Sequence, residues 1–230
     1  MFLLAEKCYV QELPFLGKNY LVVENKFSQE HLQKENSARA AIYPLQIVHT
    51  GTLSAEYGTE KVLEIAQHLS EQGVCYQMSI IGKCSKSSLL LRLQNLHKEH
   101  IFTQISLSPI SYENILTAYS NAHIALMPYQ INKAYQNRIP TKFYEAMAHN
   151  VWIWVQENPA WRAFFEEYKY PKVLFSDFWA EKVNFGFPSE INFLDERKYN
   201  NPNIFWENEA KKIFVWLQNL NFLEKSSKKS

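Results

Sequence analysis

The stretch Asn137-Arg138-Ile139-Pro140-Thr141-Lys142-Phe143-Tyr144-Glu145-Ala146-Met147-Ala148 concentrates the residues whose types and spacing could do chemistry. Pro140 reads as the first residue of a helix, a position that has no use for an N–H. Phe143, Ala146 and Met147 then form an apolar stripe, and Lys142 and Glu145, three apart, share a different face. Arg138 and Lys142 flank the helix N-terminus, with Thr141 between them, where the macrodipole already carries partial positive charge. Cations there are unfavourable by roughly a few tenths of a kcal/mol unless an anion sits between them and the free amides. A phosphate or diphosphate would resolve that conflict. The bland alternative pairs Lys142 with Glu145 and leaves Arg138 in water. Glu145, one turn in, is spaced to accept from a ribose hydroxyl pair. Asn150 falls where the helix must end and tolerates the left-handed backbone of a helix stop.

The elements around this segment alternate. Tyr20–Val23 reads as a strand, followed by a polar stretch from Ser28 to Arg39 that suits a linker or an exposed helix. Short apolar strands are predicted at 45–50, 76–81, 101–107, 123–127 and 151–155. Helices with apolar residues three and four apart are predicted at 59–72, 87–99, 112–121, from Pro140 to about His149, and around 160–168. Phe205–Leu220 reads as a terminal helix. This alternation predicts βαβ units: an α/β fold with a Rossmann-like parallel sheet and helices on both faces. The expected division is 1–40 as the remnant of a preceding domain plus linker and 41–200 as the Rossmann-like domain. A crossing helix follows at 201–223, with a disordered charged tail at 224–230. Such sheets bind ligands beyond the carboxyl ends of their strands, where Gly51, Gly58 and Gly82 fall. Glycine there lets a ligand approach the backbone, although βα turns also need glycine for geometry alone.

Composition excludes several classes. The 230 residues carry 24 Lys+Arg against 23 Asp+Glu, a net charge of +1 that gives no field for nucleic acid. No apolar run is long enough for a membrane span, and the N-terminus lacks the basic flank of a signal peptide. Cys8, Cys75 and Cys84 are odd in number and widely spaced, which suits a reduced, cytoplasmic protein. No metal motif or nucleophile motif appears, so the catalytic residues are left unassigned. GxGxxG and Walker A are absent, and the first loop, Gly51-Thr52-Leu53-Ser54, lacks the acidic pocket of a receiver domain. His97 and His100 lack a third ligand, and Trp152 and Trp154 read as core.

His49-Thr50-Gly51-Thr52-Leu53-Ser54, Ile80-Ile81-Gly82, the 119–129 stretch and above all Pro140–Ala148 together resemble a known pattern. The chain is similar to the C-terminal, donor-binding half of a GT-B glycosyltransferase of the retaining bacterial type (glycosyl transferases group 1). Residues 19–25 resemble the strand that precedes the interdomain linker, and Phe205-Trp206-Glu207 with its helix resembles the tail that crosses back. The resemblance implies a nucleotide-diphosphate sugar as donor, no tightly bound cofactor, and a role in polysaccharide or glycan synthesis. It implies donor contacts from Gly51, Thr52, Gly82, Asn137, Arg138, Thr141, Lys142 and Glu145. Gly82-Lys83 and the 107–109 loop would flank the nucleobase. Two positions depart from the pattern. Asn137 replaces a sugar-contacting glutamate eight residues before Glu145, and Thr52 and Tyr57 stand where an arginine and a lysine are usual. The acceptor-side domain is missing apart from its last segment, so an N-terminal half or partner chain would supply the acceptor site. The competing readings are a non-catalytic GT-B domain serving as a partner or regulatory subunit, favoured by those departures, and a flavodoxin-like module, which would hold a chromophore.

Overall fold

A computed structural model describes residues 2–17, 20–32, 44–95, 100–133, 135–180 and 198–227. Six strands, all paired in parallel, make the main sheet: β3 (Leu45–Thr52), β4 (Tyr76–Lys83), β5 (Ile101–Ser106), β6 (Ile124–Met127), β7 (Trp152–Gln156) and β8 (Val173–Ser176). Their order is β5-β4-β3-β6-β7-β8, so the chain reverses direction across the sheet between β3 and β6. That reversal opens a crevice at the strand ends, the place where open α/β sheets take ligands. Helices α2 (Thr59–Glu71) and α3 (Ser87–Gln94) pack one face with Ile47, Met78, Ile124, Leu126 and Trp154. Helices α4 (Tyr112–Asn121), α5 (Thr141–Ala148) and α6 (Pro159–Tyr168) pack the other, against Val48, Ala125, Met127, Ile153 and Val155. Successive strand residues alternate between the two clusters, so strands covered on both faces read in the sequence as unbroken apolar runs.

The α/β expectation therefore holds, with local corrections. Pro140 is the residue that caps α5 from outside, with extended backbone (φ −60°, ψ 131°), and the helix begins at Thr141. Trp152 is partly exposed at the start of β7, whereas Trp154 is buried. β8 has no counterpart among the predicted strands. Asn150 does adopt the left-handed conformation (φ 55°), and Val151 and Asn150 donate back to the Ala146 and Met147 carbonyls at 3.0 Å. The terminal helix α7 runs from Trp206 to Ser227, past its expected end. His97 and residues 33–39 lie outside the described residues.

Ahead of the sheet, β1 (Phe2–Leu4) pairs in parallel with β2 (Tyr20–Val22), joined through the short helix α1 (Tyr9–Glu12). Neither β1 nor α1 was legible as an element. The segment after β2 is clamped to α7: Phe27 bridges Phe205, and the Trp206 N–H donates to the Phe27 carbonyl at 2.7 Å. Beside that bridge lies a buried charge cluster. Lys26 Nζ stands 2.8 Å from Glu209 Oε1 and 3.2 Å from Glu24, and it faces the rings of Tyr144 and Tyr168. Glu209 is fully buried and also takes Lys212 at 2.6 Å and the Glu24 N–H at 3.1 Å. Burial opposes its ionisation, but the hydrogen bonds from Lys212 and Lys26 outweigh that and hold the carboxyl below its ordinary value.

Glu209→Ala leaves Lys26 buried with a weaker partner, and the expected loss in urea denaturation is about 3 kcal/mol. Because the folded carboxyl titrates below 4.5, its contribution is complete above that pH and fades as pH falls through the depressed value. The native chain and the variant should therefore converge in stability in acid.

Candidate functional site

β3 and β4 run in register to Gly51 opposite Gly82. A side chain on Gly82 would overlap the Gly51 carbonyl, and one on Gly51 (φ 97°) would come within 2.5 Å of Lys142 Cε. The two glycines let the strand ends close up and let a lysine from α5 lie across them. Lys142 Nζ donates to the Thr50 carbonyl and faces the rings of Tyr57 and Tyr129 at 5.5 and 5.7 Å. The bland Lys142–Glu145 pairing does not describe this side chain. Burial pushes the ammonium down to about 8, with the Glu145 charge pulling the other way.

Behind Lys142, His49 ties the switch point together. Its Nδ1 lies 3.0 Å from the Leu126 carbonyl on β6, and its Nε2 lies 3.2 Å from the Thr59 hydroxyl at the start of α2. A carbonyl only accepts, so Nδ1 carries the proton and Nε2 accepts from Thr59. Burial and the nearby Lys142 push the ring down to about 3, so it is neutral at ordinary pH. His49 works as a fixed dipole in the scaffold.

The loop ahead of α5 is pinned from below. Asn158 caps α6 by accepting from Ala160 and Trp161, and its amide donates to the Gln136 carbonyl at 3.0 Å. The Trp161 indole donates to the Arg138 carbonyl at 2.7 Å. α5 itself has no side-chain cap; its Phe143 N–H is taken by the Pro140 carbonyl at 3.0 Å, and its first two residues, Thr141 and Lys142, line the cavity at its N-terminus. Thr52, Arg138, Thr141 and Lys142 line that cavity of about 300 Å³, together with Tyr57, Tyr129 and Glu6. Arg138 is half-buried, its guanidinium 5.4 Å from the Tyr9 ring centre, and its Nε is buried without a partner. The solvated Arg138 of the bland reading is absent.

Of the sequence-derived residues, Thr52, Arg138, Thr141 and Lys142 line the cavity, and Gly51 and Gly82 lie at the strand ends beside Lys142 without lining it. Asn137 is exposed and does not line the cavity. Glu145 lies one turn further along α5, where it accepts from the Tyr112 hydroxyl at 3.2 Å. Burial raises its carboxyl above the ordinary value, against the pull of Lys142 and of that hydrogen bond. Lys83 is exposed at the end of β4, and Leu107 just beyond β5. Sequence reasoning missed Glu6, His49, Tyr112 and Tyr129. His49 and Tyr129 sat inside quoted motifs without being singled out, and nothing in the sequence set the N-terminal carboxylate Glu6 beside residues 138–142. Among the described residues, no three His, Cys, Asp or Glu side chains group as metal ligands would. No helix among them is long and apolar enough to cross a membrane.

Solved structures share this architecture. WaaG, a glycosyltransferase involved in lipopolysaccharide biosynthesis, matches with a TM-score of 0.53 at 11% identity, over 76% of this chain and 48% of that one. The chain has a GT-B glycosyltransferase fold. An α,α-trehalose-phosphate synthase (UDP-forming) from Burkholderia vietnamiensis matches with a TM-score of 0.50 at 8% identity, over 77% of this chain and 49% of that one. The chain thus spans about half the length of these GT-B structures. No protein-family model and no curated protein matches the sequence.

Lys142 should titrate near pH 8 while the cavity is empty, and an anion placed there should raise that midpoint. Carbon-13 labelling of lysine side chains, read by NMR, should show one Cε signal with this midpoint, lost in Lys142→Met. Lysine signals that all titrate near 10.5 would contradict the burial described here.

Proposed function

We propose that this chain is the donor-side domain of a GT-B glycosyltransferase and that its cavity binds a nucleotide-diphosphate sugar. The observation that carries the reading is the meeting of uncapped α5 amides with Arg138 and Lys142 at the sheet's switch point. An anion there offsets the cost of holding two cations against a positive helix end. In this reading the diphosphate lies over the start of α5. Glu145, released from Tyr112, takes the ribose hydroxyls, and the Thr52 and Thr141 side chains flank the phosphates. As the nucleotide diphosphate departs, negative charge grows on its leaving oxygen. Arg138, Lys142 and the α5 amides are preorganised to stabilise that charge without a protein-bound metal.

The acceptor wall is proposed to come from an N-terminal half or a separate partner chain, since this chain spans about half of its GT-B relatives in structure. The product class proposed is a polysaccharide or glycan.

Calorimetric titration with UDP, GDP, ADP and dTDP should find one preferred nucleotide. Glu145→Ala and Lys142→Ala should each weaken that binding by about 1–3 kcal/mol, the scale of a hydrogen bond to a charged group. Affinity should also fall as pH rises through about 8, where Lys142 loses its proton. Silence with all four nucleotides would count against the reading, and unchanged affinity in both variants would move the site elsewhere.

A further inference from the structure

The cationic end of α5 already holds an anion. Glu6, from the N-terminal segment between β1 and α1, reaches into the cavity, and its Oε2 accepts the Ile139 N–H at 3.2 Å. Ile139 lies two residues before α5 begins, next to Arg138. Tyr9, on the first turn of α1, lies 5.4 Å from the Arg138 guanidinium, so the same segment covers both the amide and the cation. Cys8 completes the contact, its thiol donating to Glu6 Oε2 at 3.6 Å.

This contact is local and separable from the core. Glu6 and Cys8 are half-buried, and none of the residues of α1 is buried. The carboxylate itself is partly desolvated: burial raises its affinity for a proton, opposed by the Ile139 N–H and the charge of Arg138. A carboxylate held this way gives up one backbone hydrogen bond and an ion attraction when it leaves, and it regains hydration. Phosphate oxygens offer the same donors an acceptor of higher charge.

We infer that Glu6 is an internal stand-in for the ligand's phosphate: it occupies the Ile139 N–H and neutralises Arg138 in the empty site, and an incoming phosphate displaces it together with α1. The inference rests on the proposed anion site at α5 but does not require the anion to be part of a nucleotide. Its consequence is that anion binding at α5 and release of the N-terminal segment are a single linked event, with each opposing the competing state by the same free energy.

The test uses the full chain and inorganic pyrophosphate as probe, followed by the four nucleoside diphosphates. Glu6→Gln keeps the shape and loses the charge, and it should bind pyrophosphate about tenfold more tightly than the native chain, the scale of one charge-assisted hydrogen bond. Pyrophosphate added to the native chain should also speed alkylation of Cys8 relative to exposed Cys75, because the thiol loses its carboxylate partner and its cover. Equal or weaker pyrophosphate binding by Glu6→Gln overturns the inference, as does a Cys8-to-Cys75 labelling ratio that pyrophosphate leaves unchanged. If Glu6→Gln gains pyrophosphate affinity while no nucleotide binds either protein, Glu6 stands as the internal anion and the donor reading falls. If a nucleotide binds both proteins equally, the donor reading stands and the role of Glu6 falls. Failure of both proteins to bind any of these anions overturns both.

Discussion

Everything at the candidate site depends on two strand ends that carry no side chains. Because Gly51 and Gly82 lack a Cβ, β3 and β4 can stay in register to their last residues with their backbones nearly touching. The space that a side chain on Gly51 would fill is where Lys142 lies, with its ammonium on the Thr50 carbonyl, and a side chain on Gly82 would push the Gly51 backbone away. The position of that lysine shapes the rest of the cavity: it sets the spacing to Tyr57 and Tyr129 and weakens the ammonium's hold on its proton. The lysine's charge also adds to the burial that keeps the neighbouring His49 neutral. A single pair of close-packed backbones thus decides the electrostatics several side chains away.

The loop and helix that carry Arg138 and Lys142 sit on an aromatic floor. Phe143, buried in α5, meets Trp161, Phe164 and Phe165 of α6 with ring centres 4.7 to 5.7 Å apart. Tyr144 continues the contact to Phe164 and Tyr168, and the buried Lys26 lies over Tyr144 and Tyr168. The 15% aromatic content thus has a large part of its explanation inside the molecule, in the floor that fixes α5 against β6 and β7. Offset and edge-on ring pairs each add about 0.5–1.5 kcal/mol beyond the area they bury, and they resist sliding because their geometry is directional. The pocket wall is therefore stiff where the cations stand, in contrast to the half-exposed N-terminal segment that faces it.

What was legible in the sequence follows how local each signal is. The β–α alternation from Leu45 to Tyr168 shows because strands covered on both faces leave apolar runs and helices leave a three-to-four spacing. Asn150 was legible as a helix stop for an equally local reason, its tolerance of positive φ. Gly51, Gly82, Arg138, Thr141 and Lys142 could be gathered because they sit at strand ends or within one short helix segment. The fate of each side chain was another matter. That Lys142 turns toward Thr50 rather than Glu145, that Asn137 faces water and that Tyr112 holds Glu145 all depend on packing between distant elements. Glu6 meets Ile139 across more than half of the chain, and β8 is a short strand whose residues alternate too little to stand out. Pro140 stands one place before the helix rather than at its first residue because its ψ of 131° is extended, a choice proline's fixed φ leaves open.

The bond from the Trp161 indole to the Arg138 carbonyl has a practical side. An indole ring is a natural fluorophore whose emission depends on its hydrogen bonding and on the polarity around it. Trp161 is buried, edge-on to Tyr129 and Phe143, and its one polar atom is spent on the loop that carries the cations. Any displacement of that loop must stretch or break this bond and let solvent nearer the ring. The protein thus carries a built-in optical gauge of the loop's position, readable without a label once the other tryptophans are silenced.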